Sequence, residues 1–345
     1  MIFGQVRLSA AALAVIALAT ACGGGTDDSG TTADGKQTLR VAYQKSAILS
    51  LMDWVAQEQG FFSGRGLSVT LMPSASGQAA VATALNGGVD ILYGPQSNTV
   101  QAASQGECFK YLTSGHSNTV NVIARPDLAL PSKKSDAFPG GLADLKGKKI
   151  GVPNLGSATD RNTRTVLAAA GLDVTKDVTF VAIGVGSTAV AALEKGSVDA
   201  LAAFPPDSTN FPAGSYQTVV DLVGHPESSP LRDVIVSHTV TTCDYLDKHP
   251  DTVLNYCRAY YDARDWALDP KNLDALSTIL AKYLDMSQDA AKGMWTRYGD
   301  VWRQHPTLTP ELWAAQSKFN PPDQQTVPDY ATWVYAPCAA KDPRA

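Results

Sequence analysis

One stretch of this sequence occurs twice, and that duplication constrains the fold more than any other feature. Gly77-Gln78 … Val81 … Gly87-Gly88-Val89-Asp90-Ile91-Leu92 returns as Gly186-Ser187 … Val190 … Gly196-Ser197-Val198-Asp199-Ala200-Leu201 with identical spacing. Each copy reads as a glycine loop, a helix, a tight turn and a buried strand. The separation is too long for a solenoid, whose units run ~20–50 residues. The reading is two copies of one α/β lobe.

The flanks agree. Residues 39–43 form a β-rich run, and 47–59 follow with helical spacing of Leu51, Trp54 and Val55. Gly60 ends that pattern, and 66–71 read as the next strand. Strand, helix, strand at this spacing predicts a largely parallel sheet. The same order recurs as a strand at 149–153, a loop at 154–159 and a helix at 160–170. Strands at 119–124 and 233–240 bracket the second copy and predict a two-stranded hinge. The chain beyond is helical at 250–267, 272–283 and 288–298, and these helices should pack on the first lobe. A Pro-rich tail from 320 carries Trp333 and Tyr335, held by Cys338. The expected first lobe is 39–125 with 233–345, and the second is 126–232.

The N-terminus sets an address. Arg7 is the only charged residue before Asp27, 8–18 is almost wholly apolar, and Ala19, Thr20 and Ala21 precede Cys22. That is an export signal over 1–21, since a membrane span needs ~20 apolar residues. Residues 22–38 are Gly/Ser/Thr-rich at their start and read as a flexible tether. The formal net charge of −5, without a basic stripe, argues against nucleic acid. Beyond Cys22 stand Cys108, Cys243, Cys257 and Cys338. An even number in an exported chain predicts two disulfides, and three pairings stay open. There is no CxxC, no metal-ligand spacing among the histidines, no GxSxG elbow and no P-loop. No cofactor, metal or catalytic residue is predicted.

Several runs carry a resemblance: Val41-Ala42-Tyr43-Gln44, Gly87-Gly88-Val89-Asp90, Gly94-Pro95-Gln96-Ser97, the stretch 142–153 followed by Gly156-Ser157, and 245–251. Together they resemble the substrate-binding proteins of bacterial ABC importers, in the branch serving taurine, alkanesulfonates, nitrate and thiamine-pyrimidine precursors. The similarity spans roughly 39–300. It implies a type II periplasmic-binding-protein-like α/β fold, two similar lobes about a hinge, and a monomer. It also implies solute capture and delivery to a permease with a cytoplasmic ATPase. The small residues before Cys22 resemble a lipobox, with Ala19 where the family prefers Leu. A lipid on Cys22 would anchor the chain to the outer face of the cell membrane; two or more acyl chains hold stably.

In parallel α/β sheets ligands sit beyond the carboxyl ends of the strands. The candidate loops are therefore 43–46, 74–78 and 93–98 in the first lobe, and 154–159, 184–187 and 204–207 in the second. Several lead into helix starts, which suit an anion. Gln44, Ser46, Ser76, Gln96, Ser97, Asn154, Ser157, Thr159 and Asp207 offer polar contacts, and Tyr43, Tyr93 and Phe204 offer walls. Ser157 and Thr159 are also good N-cap residues in any helix. Phe204 stands where sulfonate-binding members tend to carry Trp. The expected ligand is a sulfonate or carboxylate; a neutral pyrimidine, thiamine or flavin precursor is the alternative. An enzyme of the desulfinase kind on this fold would need a cysteine in a cleft loop, and none of these loops has one.

Overall fold

The computed structural model describes residues 30–44, 48–94, 96–205, 211–212, 214–319, 327–339 and 342–344. Cys22, Ser46 and Asp207 lie outside them.

The duplication is explicit in the sheets. In the first lobe β1 (Gln37–Gln44) pairs in parallel with β2 (Leu67–Ser74). A parallel bridge from Val41 to Ile91 joins β1 to β3 (Leu92–Gly94). β10 (His238–Thr242) then lies antiparallel between β3 and β4 (Phe109–Ser114). The order is thus β2-β1-β3-β10-β4. The second lobe repeats it as β7 (Thr179–Ala182), β6 (Lys149–Val152), β8 (Ala200–Ala203), β5 (Asn121–Ala124) and β9 (Gln217–Val220). Here β6 runs parallel to β7 and β8, and β5 antiparallel to β8 and β9. In each lobe the fourth strand is the one that has just arrived from the other lobe. The parallel expectation therefore holds for three strands of each five.

The repeated Gly-x-Val-Asp has a structural reason in both copies. Gly87 and Gly196 sit at φ 69° and 70°, the left-handed conformation that closes a helix and that glycine adopts freely. The aspartate then pins the strand that follows to its neighbour. The Arg40 amide donates to Asp90 Oδ2 at 2.7 Å, and the Lys149 amide donates to Asp199 Oδ2 at 2.9 Å. In return the Asp90 and Asp199 amides donate to the Arg40 and Lys149 carbonyls.

The hinge differs from the expectation. The strand expected at 119–124 as half of the hinge, within a first lobe ending at 125, forms β5 inside the second sheet. The strand expected at 233–240 begins only at His238 and belongs to the first. The links between lobes are thus the non-strand stretches 115–120 and 221–237. They touch closely, with the Val236 amide donating to the His116 carbonyl at 2.8 Å. A Cβ on Gly115 would lie 1.8 Å from the Ser237 carbonyl oxygen, so only glycine fits there. Gly115→Ala is expected to lower stability by about 3 kcal/mol or more, as for overpacked cores, read from the urea midpoint.

Helices α1 (Leu51–Glu58), α2 (Phe61–Gly64), α3 (Gly77–Leu85) and α4 (Gln96–Ala103) cover the first sheet, and α5 (Ala158–Ala169) and α6 (Ser187–Glu194) the second. After α7 (Cys243–Lys248) come α8 (Pro250–Leu268), α9 (Leu273–Leu284) and α10 (Gln288–Tyr298). Pro250 opens α8, a position where its missing N–H costs nothing. Val253, Tyr256, Cys257, Tyr260, Ala263 and Ala267 recur every three or four residues and are all buried, the stripe of a core-facing helix. They share one core cluster with α1, so the C-terminal helices do pack on the first lobe. The short turn Gln316–Phe319 departs from that pattern: Phe319 packs into the second lobe's core. Of the three open pairings, the disulfides are Cys108–Cys243 and Cys257–Cys338.

Candidate functional site

The carboxyl ends of β1, β2, β3, β6, β7 and β8 carry the predicted loops, and the helices that follow decide what those loops can bind. Ser76 is extended and caps α3, its hydroxyl accepting from the Ala79 amide at 3.1 Å. Ser157 does the same for α5, accepting from the Asp160 amide at 3.2 Å. Both serines therefore do the capping that their residue type suggests, a role worth ~1 kcal/mol. Each remains half-buried at its loop.

The four helix starts are not electrically alike. The first turns of α3, α4 and α6 hold no acidic residue. The α6 start is capped only by Gly186, without a side-chain hydrogen bond. At α5, Asp160 is buried and accepts from the Gly156 amide at 2.8 Å and from Arg164 Nε at 2.8 Å. The chain's own carboxylate thus fills the place an anion would take there. Helix starts free of acid exist in both lobes.

Tyr43 is half-buried and meets Trp54 and Tyr283 edge-on at 6.3 and 6.4 Å. Gln44 ends β1 opposite Ser74. Tyr93 is 1% exposed and its ring belongs to the core. Burial pushes its hydroxyl up to about 12. Gln96 and Ser97 lie in the first turn of α4. Asn154 is exposed, Thr159 half-buried, and the Asn154 carbonyl accepts from the Ser157 amide at 3.2 Å. Phe204 follows β8 and packs with Val120, Val152 and Ala202. Leu155 and Val185 stand 58% and 55% exposed on adjoining second-lobe loops. These loops join where the Gly184 amide donates to the Pro153 carbonyl.

Two cations were missed by sequence reasoning. Arg161, in the first turn of α5, donates from Nη1 to the Gly156 carbonyl, and burial holds its guanidinium below its usual value. Its only signal was its place one residue past Asp160. Arg297, at the end of α10, reaches from the first lobe to Asp221, where the second lobe's β9 runs into the link, at 3.0 Å. With Tyr298 it closes a cavity of about 160 Å³ against Asn121, Ala203 and Thr218. No local pattern announces that contact, because it depends on how the lobes meet.

The two histidines beside the crossing, His116 and His238, are buried, and burial pushes both imidazoles down to about 4. The His116 ring lies 4.8 Å from Trp302 at a 46° tilt, and its Nδ1 meets the Ser117 carbonyl at 2.8 Å. Among the described residues no His/Cys/Asp/Glu group could hold a metal ion. All four described cysteines are in disulfides, so none offers a thiolate.

Two lobes of matching strand order, joined by crossing segments, define the periplasmic-binding-protein fold, and solved structures carry it. The chain belongs to the NMT1-like family, whose model matches residues 33–281. A protein from Bordetella bronchiseptica RB50 is similar at 23% identity and TM-score 0.66, over 86% of this chain and 94% of that one. The periplasmic aliphatic sulphonate binding protein SsuA from Escherichia coli is similar at 18% identity and TM-score 0.63, over 81% and 89%. The periplasmic nitrate-binding protein NrtA from Synechocystis PCC 6803 follows at 15% identity and TM-score 0.55, over 78% and 70%. No curated protein matches.

Proposed function

We propose that this chain is an extracytoplasmic receptor that captures a small organic anion, a sulfonate or carboxylate, between its lobes and delivers it to an ABC permease. The observation that carries the reading is the set of helix starts without acid at the cleft edges, α3 and α4 from one lobe and α6 from the other. Such starts offer unpaired N–H groups and the positive end of the dipole to an anion. Structural relatives named for aliphatic sulphonate and nitrate binding support the same ligand chemistry. Gln44, Ser76, Asn154, Ser157 and Thr159 add polar contacts, and Arg161 adds positive charge near α5. Tyr43, Phe204, Leu155 and Val185 supply apolar walls, as small-molecule sites usually have.

Contacts from both lobes exist together only when the cleft is shut, so ligand biases the hinge toward closure. Cys22 would tether this receptor beside its permease through a lipid. Binding rather than desulfinase-like catalysis fits cleft loops that hold no cysteine. Asp160 at the start of α5 favours a second reading, a neutral pyrimidine or flavin precursor, since it withholds one of the four helix starts from an anion.

A thermal-shift panel of sulfonates, carboxylates, nitrate, pyrimidines and flavins tests both. A true ligand at 100 times its dissociation constant adds ~2.7 kcal/mol. Small-angle scattering with that ligand should show a smaller radius of gyration. Melting shifts from neutral heterocycles alone would overturn the anion reading. A tight ligand with no compaction would overturn the closure.

A further inference from the structure

We propose that Cys108–Cys243 is a thiol-exchange site that works in the folded protein, and that Cys257–Cys338 is closed to the same chemistry. The two bridges differ in surroundings. Cys257 and Cys338 are both 0% exposed, inside the core between α8 and the C-terminal tail. Cys108 is exposed and Cys243 half-buried. Cys108 also lines a cavity of about 390 Å³, together with Arg40, Leu85, Glu107, Tyr245 and Lys248. That volume falls in the range of small-molecule sites. It lies at the amino ends of β1 and β3, beside Arg40 and Asp90, and so on the opposite side of the sheet from the predicted cleft loops.

Exchange needs a thiolate to reach a disulfide sulfur, so access decides which bridge reacts. The cavity takes a low-molecular-weight thiol. Its thiolate attacks Cys108 Sγ and forms a mixed disulfide there. The Cys108–Cys243 bond breaks, and its electron pair leaves on Cys243 Sγ, which takes a proton from solvent. A second thiolate attacking the mixed disulfide releases the oxidised thiol compound and leaves Cys108 reduced. Local structure survives the step. The Cys243 amide donates to the Cys108 carbonyl at 3.0 Å, and the β4–β10 ladder runs directly on from that bond. Opening the bridge frees a covalent loop that spans 135 residues and contains the whole second lobe. A thiol at this cavity would thus open a covalent tie at the end of the β4–β10 ladder remote from the crossing segments, without touching the cleft.

The test exposes the folded full chain to reduced glutathione, quenches with iodoacetamide and maps the peptides, with far-UV circular dichroism recorded alongside. The expected result is a glutathione adduct on Cys108 and alkylation at Cys243, with Cys257–Cys338 intact and the dichroism unchanged. Leu85→Trp, at the cavity rim, should slow adduct formation about threefold or more by restricting access. The proposal is overturned if neither bridge opens in the folded state, if both open together, if the adduct forms on Cys243 instead, or if Leu85→Trp reacts at the unaltered rate.

Discussion

Replacing Cys257 and Cys338 together by alanine is expected to lower the unfolding free energy by about 4 kcal/mol. The bridge spans 81 residues, and the entropy of closing a loop of that length in the unfolded chain sets the figure at roughly 4–5 kcal/mol. The native side of the balance changes less. The tail keeps its own attachments: the Tyr335 amide donates to the Tyr111 carbonyl, and the Leu308 amide to Ala339. Trp333 stays buried beside Phe109 and Tyr111. Tyr261 donates its hydroxyl to the Cys338 carbonyl at 2.9 Å, and Arg344 pairs with Asp262 and Asp265. The double variant should therefore fold to the same structure and unfold earlier. In urea the midpoint should fall and the slope should hold or steepen, because the freed unfolded chain expands and exposes at least as much surface. A shallower slope would mean that the tail detaches, and an unmoved midpoint would reject the loop-entropy account. The Cys108–Cys243 bridge closes a longer loop, so its chemical accessibility is not a sign that it stabilises less.

The parts of this fold that were legible in the sequence are those fixed by local pattern. The α8 stripe declares itself through Val253, Tyr256, Cys257 and Tyr260, and Pro250 marks its start. The duplicated Gly-x-Val-Asp announces two lobes because both ends of it are local, a left-handed glycine and an aspartate that pins the neighbouring strand. What was not legible is pairing across distance. Asn121–Ala124 is buried on both faces, so no alternation in its residues tells which sheet it joins. The cysteine pairing was open for the same reason. At the site, Ser157 was read both as a ligand contact and as a helix cap, Ser76 only as a ligand contact, and capping is the role the geometry gives both. The sequence Ser157-x-x-Asp160 held a further signal, an N-terminal acid that answers the helix dipole. Tyr93 could not be told from a cleft wall, because a tyrosine at a strand end reads alike whether its ring turns inward or outward. Arg297 is a surface arginine by every local measure until the second lobe brings Asp221 to it.

Acid is expected to destabilise this protein well above the pH where ordinary carboxylates protonate, and the cause is at the crossing between lobes. His116 and His238 are each 1% exposed, and burial pushes both imidazoles down to about 4. Around them stand the Trp302 ring, the Ser117 and Thr113 carbonyls, and the Tyr111 and Trp313 rings. None of these holds a countercharge for an imidazolium. Between pH 6.5 and 4 the unfolded chain binds a proton on each histidine that the folded chain refuses, so stability falls as pH falls through this window. Asp53 works the other way. It is buried, and desolvation raises it to about 7, with the Tyr256 hydroxyl donating to it at 2.6 Å. Across nearly the same window the folded chain holds a proton on Asp53 that the unfolded chain has lost. Two protons against one leave the unfolded state one ahead, a slope of ~1.4 kcal/mol per pH unit. Stability should therefore drop by about 3 kcal/mol from pH 6.5 to pH 4. The depressed carboxylates of Glu58, Asp173, Asp177 and Asp342 act in the same direction but mainly below that window. Asp53→Asn keeps an acceptor for Tyr256 and removes the opposing proton, so the slope should roughly double to two protons. Urea unfolding at three pH values between 4 and 6.5, for the native chain and for Asp53→Asn, measures both slopes. A native-chain stability that is level or rises toward acid would show that the histidines are not held neutral. Equal slopes in the two chains would show that Asp53 is not held protonated.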